Sequence, residues 1–321
     1  MRWVRYTVKG DASDRPRLGA LCAGGVIDLG RAYARYCAAG GLEEEGLAAL
    51  CVTGSLVQWI RSGPGSAFGA WLPAHAQTPD RPMDAVRLHA PLHDPGRFIG
   101  VGLNYRAHAR EIGQREPVSP PFFAKWNNCI NGPEDPIVRP RGCLALDYEG
   151  ELGVIMGRTV RDVAAKEALD AVFGYTVIND VSARDWQFRT SQWLAGKVAD
   201  GFAPMGPAVV GREEIADPQA LTIRTWVNGQ LRQESGTSDM IFDVATLISI
   251  LSTVTTLEAG DIIATGTPSG VGMSADPPCY LTAGDLVRIE IPGIGVLANT
   301  VVDAQGRSLR ARNPGDYIEQ T

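Results

Sequence analysis

The hydrophobic pattern of the first 85 residues predicts a small unit that mixes strands and helices. Apolar and polar residues alternate from Trp3 to Val8, as in a half-buried strand. Two further strand patterns flank Gly24-Gly25, and apolar residues recur at helical spacing in two later segments. A polar, proline-bearing stretch from Pro73 to Met83 follows. Because such stretches mark domain boundaries, we expect a small α+β module over residues 1–85 and a second domain over residues 86–321.

The second of these domains has mainly strand patterns. Short apolar runs alternate with turn residues, and the strand candidates are residues 97–103, 121–126, 146–156, 174–179, 208–210, 221–227, 261–264 and 286–291. Asn228-Gly229 tolerates positive φ at both positions, so it predicts a tight hairpin. Three helices are expected, over residues 163–173, 182–194 and 240–252, which is too few for a regular alternation with strands. The predicted fold class is therefore α+β and strand-rich.

Composition and charge narrow the class of protein. Of the 321 residues, 45% are apolar and 21% are charged, so the chain can bury a sizeable core. A net charge of −6 argues against a nucleic-acid-binding surface, and no apolar run is long enough to predict a membrane span. The six scattered cysteines form no C-x-x-C pair, which favours a reducing compartment. We therefore expect a cytoplasmic protein that binds neither nucleic acid nor membranes.

The densest acidic feature lies inside an apolar strand pattern. Asp147, Glu149 and Glu151 are each two residues apart, so a continuous strand would place all three on one face. Like charges on one face repel, and a hard divalent cation is the usual way to stabilise such a cluster in a partly buried place. The alternative is an acidic strand face that is solvated and binds nothing.

A second acidic position adds to this picture. The apolar run from Gly174 to Asn179 ends at Asp180, with Arg184 and Gln187 one and two helical turns further on. Asp180 at such a strand end could be an N-cap of the following helix. It could also be a third oxygen ligand for Mg²⁺, Mn²⁺ or Ca²⁺, and both roles can hold together.

Histidine is scarce in this chain, and one histidine has a suggestive neighbour. Only four histidines occur, and His108 is the one that lies within the segments carrying the chemical motifs. On a helix, His108 and Glu111 are neighbours, so the carboxylate can orient the imidazole as a general base requires. A surface histidine beside a glutamate is the alternative. The nearby Gly100-Val101-Gly102 lacks the third glycine of a dinucleotide-binding motif.

Two further segments carry weaker signals. Lys197 follows the predicted helix as a flexible cation. The loop over residues 265–272 is rich in glycine and hydroxyl groups, and it could present backbone N–H groups to an anion. Because the loop lacks the Gly-Lys-Ser/Thr ending of a P-loop, nucleotide phosphate binding is disfavoured. Taken alone, each segment is also typical of an ordinary surface lysine and an ordinary turn.

Together these segments resemble the fumarylacetoacetate hydrolase family, in the family's order and over roughly residues 95–302. The matching stretches are Gly102-Leu103-Asn104-Tyr105 with His108 and Glu111, Asp147-Tyr148-Glu149-Gly150-Glu151-Leu152, residues 174–185, Gly196-Lys197, residues 202–207 and residues 265–272. The resemblance implies a mixed β-sandwich roll as the catalytic domain, with residues 1–85 as the variable N-terminal module. It also implies a homodimer.

The resemblance further implies a role for each candidate residue. Glu149, Glu151 and Asp180 would hold Mg²⁺ or Mn²⁺, with Ca²⁺ as a further possibility. His108, oriented by Glu111, would activate water, and Lys197 would assist catalysis. The positions expected to contact the substrate are Arg184, Gln187, Thr267, Lys125 and Tyr105. The chain departs from the family pattern at Asn127, Asn128 and Val198, which we expect near the pocket.

These roles predict a metal-dependent hydrolase that cleaves a C–C bond in a β-diketone or an acylpyruvate-type 2-oxo acid. Three carboxylates, a divalent cation, Lys197 and Arg184 give a pocket of net positive charge, which suits an anionic dicarbonyl substrate. The metal would polarise the carbonyl and stabilise the enolate that leaves. The same enolate chemistry serves a decarboxylase of an oxaloacetate-like acid or an isomerase of an unsaturated 2-oxo diacid. A metal-binding module without catalysis is the third reading.

Overall fold

The computed structural model describes residues 1–12, 15–75 and 77–304 of the chain. Within them, 19 strands form: β1 Arg2–Val8, β2 Arg17–Cys22, β3 Gly25–Asp28, β4 Arg81–Pro82, β5 Val86–His89, β6 Phe98–Val101, β7 Phe122–Lys125, β8 Ile130–Asn131, β9 Ile137–Arg139, β10 Leu146–Asp147, β11 Gly150–Met156, β12 Val172–Asn179, β13 Ser182–Ala183, β14 Ala203–Gly211, β15 Thr222–Val227, β16 Gln230–Gly236, β17 Ile262–Ala264, β18 Leu286–Ile291 and β19 Gly295–Asp303.

The same residues form eight short α-helices: α1 Leu29–Ala38, α2 Leu47–Val52, α3 Leu56–Ser62, α4 Ala67–His75, α5 Arg106–Glu111, α6 Ala165–Ala168, α7 Arg184–Gln187 and α8 Val244–Val254. Strands outnumber these helices, and they contain more of the described residues. The prediction of a strand-rich α+β fold is therefore confirmed.

Two large sheets organise the fold. The larger has twelve strands in the order β4-β3-β2-β1-β14-β12-β11-β17-β6-β7, with β5 paired to β1 and β8 paired to β14. A five-stranded sheet has the order β16-β15-β18-β19-β9, and β10 pairs with β13. Most neighbours are antiparallel, but β17 and β6 are parallel, as are β19 and β9. The sheets are therefore mixed, as the family resemblance implied.

The N-terminal residues are part of the larger sheet. Strand β1 pairs with β14 through Trp3 and Val209, and it pairs with β5 just beyond the predicted boundary near residue 85. The amino group of Met1 also forms ion pairs with Glu213 and Glu214, at 2.6 and 2.7 Å. Strands β1 to β4 are therefore the outer part of a sheet that continues into the predicted catalytic domain.

The central strands of the larger sheet are buried on both faces. On β11, Val154 belongs to a core that includes α8 and the five-stranded sheet, whereas Ile155 belongs to a core that includes α1, α3 and α4. Val177 and Ile178 divide in the same way on β12. Every residue of β11 is buried. Double burial explains why this strand is a nearly continuous apolar run rather than an alternating pattern.

Of the three helices predicted for residues 86–321, two are much shorter than predicted. Helix α6 covers only four residues, because β12 begins at Val172 within the predicted helix over 163–173. In the segment 182–194, β13 pairs with β10 and α7 has a single turn. Beyond that turn, the Thr190 hydroxyl bonds the backbone of Gln192, a local bond that competes with helix formation. The third predicted helix is present as α8, but it begins at Val244 rather than at residue 240, because Asp243 caps its N-terminus.

The predicted hairpin is confirmed. Asn228 and Gly229 connect β15 to β16 with φ of 52° and 78°, and Val227 pairs with Gln230 across the turn. All six cysteines are free, in agreement with their scattered spacing. Across the described residues, no helix combines the length and the apolar character that crossing a bilayer requires.

The hairpin gives a direct test of the fold. The substitution Gly229→Ala places a Cβ at a left-handed residue, so the free energy of unfolding is expected to fall by about 1–2 kcal/mol. Gly229→Asn is the matched variant, and its loss is expected to be smaller because asparagine tolerates this conformation. Urea unfolding of both variants measures the difference. Equal losses for alanine and asparagine would contradict the left-handed assignment.

Candidate metal centre and active site

Three buried carboxylates converge where β11 meets β12. Glu151 lies on β11, Glu149 precedes that strand, and Asp180 directly follows β12. The strands pair antiparallel with Gly150 opposite Asn179, so the start of one lies beside the end of the other. One oxygen of each carboxylate lies within 4.8 Å of the others. We call Glu149, Glu151 and Asp180 the acidic triad.

Asp147 does not join the acidic triad, which corrects the expectation that three acids share one strand face. The strand is interrupted, because β10 ends at Asp147 and β11 begins at Gly150. The Asp147 carboxylate accepts hydrogen bonds from Arg184 Nε at 2.9 Å and from the backbone N–H groups of Gly272 and Met273 at 2.8 and 3.0 Å. Its role here is to hold Arg184 and the loop.

Three buried cations surround the acidic triad. Lys197 Nζ lies 2.6 Å from Glu149 Oε2 and 2.7 Å from Asp180 Oδ2. Arg184 Nη1 lies 2.7 Å from Glu149 Oε1. Lys125 Nζ lies 2.5 Å from Asp180 Oδ1, and it also donates to the carbonyl of Lys197 at 2.7 Å. Glu149 and Asp180 are thus paired with cations, whereas Glu151 accepts a backbone N–H from Gly266 at 2.9 Å.

This unequal pairing separates the pKa values of the carboxylates. Burial opposes ionisation of Glu149, but the charges of Lys197 and Arg184 outweigh it and hold its pKa below the ordinary value. Burial raises the pKa of Glu151 well above its ordinary value, and the neighbouring Asp180 and Glu149 raise it further. Glu151 is therefore the member of the acidic triad that lacks a positive partner.

The acidic triad has the donor chemistry of a divalent-cation site. Its three ligands are carboxylates, which suit Mg²⁺, Mn²⁺ or Ca²⁺. With Asp147 included, four buried carboxylates face three buried cations, so the cluster has more acid than base. The ammonium of Lys197, bound between Glu149 and Asp180, shows that this set of oxygens binds positive charge. The residues present therefore fit a hard cation.

The predicted histidine–glutamate pair is formed. His108 and Glu111 lie on α5, and His108 Nδ1 is 3.0 Å from Glu111 Oε2. Glu111 Oε1 accepts the backbone N–H of Gly270 at 2.8 Å, which fixes the carboxylate from its other side. The position of α5 is set by Asn104, whose amide bonds the backbone of Phe242 and Thr265. The imidazole is buried and lines the same cavity as Glu149.

The glycine-rich loop over residues 265–273 donates backbone hydrogen bonds to carboxylates of the protein's own side chains. The backbone N–H groups of Gly266, Gly270 and Gly272 donate to Glu151, Glu111 and Asp147, respectively. One loop therefore contacts the acidic triad, the histidine–glutamate pair and Asp147, the carboxylate that holds Arg184. The predicted anion contact is present, with side-chain carboxylates in place of a ligand.

Gln233 is a site-supporting residue that sequence reasoning missed. Its buried side chain accepts the N–H of Gly150 at 3.0 Å, and it donates to Thr267 Oγ1 at 2.8 Å and to the carbonyl of Pro268 at 2.9 Å. Gln233 lies on β16, opposite Thr225 in the hairpin. The sequence did contain a signal for this role, because Gln233 falls at a position of the predicted hairpin where the side chain is expected to point into the core.

A cavity of about 250 Å³ is lined in part by Glu149 and Glu151 of the acidic triad. Most of the predicted site residues line it, namely His108, Glu149, Glu151, Arg184, Gln187, Lys197 and Thr267. Arg184 has a further free donor, because its Nη2 is buried without a hydrogen-bond partner among the described residues. The structure thus brings two of the three predicted metal ligands, the predicted base, Arg184 and Lys197 to one cavity. The third ligand, Asp180, is fully buried and contacts this wall through Lys197.

Two residues predicted to contact the substrate lie outside the wall of this cavity. Tyr105 precedes α5 and is fully buried, with its backbone bridged to Met240. Lys125 is buried behind Asp180, where its ammonium is already bound. In this structure Lys125 is bound to Asp180 and Tyr105 packs in the core, so their contact with the substrate stays a prediction.

The three departures from the family pattern also lie outside the cavity wall. Asn128 Nδ2 donates to the carbonyl of Val198 at 3.0 Å and to Asp200 at 2.7 Å. Asn127 Nδ2 donates to the carbonyl of Pro95 at 3.3 Å. These residues tie neighbouring segments together behind the site rather than lining it.

The match to a protein family completes this picture. Residues 97–302 match the family described as fumarylacetoacetate (FAA) hydrolase C-terminal. The chain belongs to this family. A fumarylacetoacetate hydrolase domain-containing protein 2 homolog from Dictyostelium discoideum is 46% identical over an alignment of 231 residues, which covers 68% of this chain and 75% of that protein.

Two solved structures of the fumarylacetoacetate hydrolase fold cover 95% of this chain and their own full length. Maleylpyruvate hydrolase from Sphingobium sp. SYK-6, in complex with manganese(II) and pyruvate, is 31% identical with a TM-score of 0.71. The 2-hydroxyhepta-2,4-diene-1,7-dioate isomerase from Mycobacterium marinum is 32% identical with a TM-score of 0.69. The chain therefore belongs to a family of enzymes that includes hydrolases and isomerases, and one structural neighbour binds manganese.

The acidic triad gives a direct test by metal binding. Glu149→Gln, Glu151→Gln and Asp180→Asn are each expected to weaken Mn²⁺ binding by more than about 100-fold, because each removes a carboxylate ligand. Titration calorimetry with Mn²⁺ measures the affinity. Asp147→Asn is the matched variant within the same motif, and it is expected to bind Mn²⁺ within about tenfold of the parent protein. An equal loss in Asp147→Asn would place a ligand outside the triad.

Proposed function

We propose that this protein is a divalent-metal-dependent hydrolase that cleaves a C–C bond in an acylpyruvate-type 2-oxo acid or a β-diketone. The observation that carries the proposal is the position of His108. Its imidazole is oriented by Glu111 and lines the same cavity as Glu149 and Glu151 of the acidic triad. The proposed hydrolysis needs both a base for water and a cation site for the substrate oxygens, and this cavity supplies residues for both.

The histidine–glutamate pair supplies the base. The carboxylate of Glu111 accepts a hydrogen bond from Nδ1–H of His108, which leaves Nε2 with a free lone pair. Nε2 removes a proton from water, and the water oxygen attacks the acyl carbonyl carbon of the substrate. The C–C bond then breaks, and the proton held on His108 is available to the carbon that leaves as an enolate. The products are a carboxylic acid and a methyl ketone such as pyruvate.

The metal would be held by Glu149, Glu151 and Asp180. When bound, it supplies Lewis-acid polarisation of the substrate carbonyl and stabilises negative charge on oxygen. Magnesium or manganese is the proposed ion, supported by the all-carboxylate ligand set and by the manganese in the Sphingobium hydrolase.

The basic residues bind the anionic end of the substrate. Nη2 of Arg184 is a buried donor to which the described part of the chain offers no hydrogen-bond partner. Nη1 and Nε fix the guanidinium through Glu149 and Asp147. A guanidinium held in this way can donate to a substrate carboxylate without losing its own ion pairs. Lys197 adds positive charge, because Asp180 and Glu149 raise its pKa although burial lowers it.

An isomerase is the second candidate. The Mycobacterium marinum neighbour has the same fold, and it is named as an isomerase whose substrate is a dioate. Isomerisation moves a proton and needs no attacking water, and decarboxylation of an oxaloacetate-like acid needs none either. All three reactions develop enolate charge at the same oxygens. The role of His108 therefore distinguishes them.

A homodimer and a cytoplasmic location stay predictions.

Replacing His108 tests the hydrolase. With the Mn²⁺-loaded protein and a panel of acylpyruvates, His108→Ala is expected to lower kcat for hydrolysis by about 10²–10⁴-fold, because the general base is lost. Product masses identify the bond that is cleaved. Glu111→Gln is the matched variant, and it should cost less because the imidazole remains. EDTA should abolish turnover in the parent protein.

The same variant separates the alternatives. Decarboxylation of oxaloacetate should survive His108→Ala better than hydrolysis does. If His108→Ala hydrolysed acylpyruvates at the parental rate, the assignment of the base would fail. If the parent protein turned over none of the acylpyruvates, β-diketones or oxaloacetate, and EDTA left its thermal stability unchanged, the metal-dependent proposal would fail.

A further inference from the structure

The wall of the active-site cavity has a large apolar part that the proposed chemistry does not use. Beyond the residues already assigned, the cavity is lined by seven apolar side chains: Val101, Leu103, Ile112, Phe123, Phe188, Trp193 and Met273. A bound molecule therefore meets polar groups over one part of its surface and hydrocarbon or aromatic groups over another. Such a wall stabilises an apolar group in proportion to the area it buries.

The two central rings of this wall are held in fixed positions. Phe123 and Trp193 pack edge to face, with centroids 6.2 Å apart and an interplanar angle of 72°. Each ring lies over a glycine: a Cβ at Gly100 would be 2.3 Å from Phe123, and a Cβ at Gly102 would be 2.3 Å from Trp193. The glycines therefore make room for the rings at the end of β6, and larger residues there would displace them.

The aromatic wall begins beside the acidic triad. The ring centroid of Phe123 is 5.1 Å from Nζ of Lys197, which in turn contacts Glu149 and Asp180. A substrate whose charged end lies at Arg184 and the triad would thus have its next atoms against the ring. The apolar surface is close enough to contact the acyl part of a small 2-oxo acid.

The described residues that line the cavity offer no spare cation for a second carboxylate. Among the described residues that line it, the basic groups are Arg184, Lys197 and His108. Arg184 and Lys197 are bound to carboxylates, and His108 is bound to Glu111 and assigned as the base. The other polar lining group toward solvent is the neutral side chain of Gln114. A distal carboxylate would lose water in this cavity without gaining an ion pair.

From this wall we infer that the substrate is a monoacid: an acylpyruvate-type 2-oxo acid whose acyl group is apolar. This inference rests on the proposed function and narrows its substrate class. It also separates this protein from an enzyme acting on a dioate, such as the one named for the Mycobacterium marinum neighbour. The apolar acyl group contacts Phe123 and Trp193, and the single carboxylate contacts Arg184.

Binding of two matched 2-oxo acids tests the inference without turnover. 2-Oxohexanoate and 2-oxoadipate have the same carbon chain and differ in a terminal methyl group or carboxylate. Titration calorimetry on the Mn²⁺-loaded protein is expected to give a Kd about tenfold lower or more for 2-oxohexanoate, because the distal carboxylate finds no cation. Each methylene added to the monoacid should lower Kd by up to about fourfold until the cavity is filled.

A gain-of-charge variant tests the responsible residue. Phe188 lies at the rim with 57% of its surface exposed, so Phe188→Arg should fold and place a guanidinium at the apolar wall. It is expected to reduce the preference for 2-oxohexanoate by about tenfold. Phe188→Leu is the matched control, which removes the ring without adding charge and should keep the order of the two acids. Gln114→Arg, at a second exposed position of the wall, repeats the test.

The outcomes separate the inference from the proposed function. A parent protein that binds 2-oxoadipate as tightly as 2-oxohexanoate, or more tightly, overturns the inference, even if acylpyruvates with a distal carboxylate are then hydrolysed. Unchanged selectivity in both arginine variants also overturns it. Failure of both acids to bind the Mn²⁺-loaded protein removes the proposed function together with the inference. A monoacid preference that the arginine variants reduce supports both.

Discussion

The burial of four carboxylates in one cluster is the constraint on which the arrangement of this site depends. The cluster consists of Asp147, Glu149, Glu151 and Asp180, all of which are buried. In the protein interior, like charges repel more strongly than in water, and an unpaired charge is costly. Three buried cations and several backbone N–H groups compensate the four carboxylates. These compensating groups come from β7, α7, the segment before β14 and the 265–273 loop, so electrostatic balance requires distant parts of the chain to meet.

The 265–273 loop links the parts of this balance. It holds Glu151 of the acidic triad, Glu111 of the histidine–glutamate pair and the anchor of Arg184. Gln233 fixes the loop to the start of β11 from the hairpin side. The base, the candidate cation ligands and the substrate-binding guanidinium therefore share one support. Rigid support of this kind keeps reacting groups in position without reorganisation during the reaction.

Local patterns predicted those parts of the structure that local physics determines. The pattern at Trp3 to Val8 predicted strand β1, although burial along this strand does not alternate residue by residue. The Asn228-Gly229 turn predicted the hairpin, because turn chemistry acts over few residues. The two-residue spacing of Glu149 and Glu151, together with the strand end at Asp180, predicted the acidic triad. His108 and Glu111 were predicted from helical spacing.

Features that depend on contacts between distant segments were not accessible in this way. The break after Asp147 follows from the pairing of β10 with β13 and from the bonds to Gly272 and Met273. Gln233 reaches the site only because the hairpin folds against Gly150. The segment 182–194 was predicted as one helix, although strand pairing at its start and local hydroxyl bonds near Thr190 shorten it.

The continuity of the larger sheet across residue 85 has a practical consequence for work on the catalytic part alone. Helices α1, α3 and α4 cover the sheet face that carries Ile155 and Ile178, and β1 occupies the edge of β14. A fragment beginning at residue 86 would present that apolar face and an open strand edge to solvent, a combination that promotes aggregation. The first 85 residues thus serve as a built-in solubility partner for the strands that carry the acidic triad.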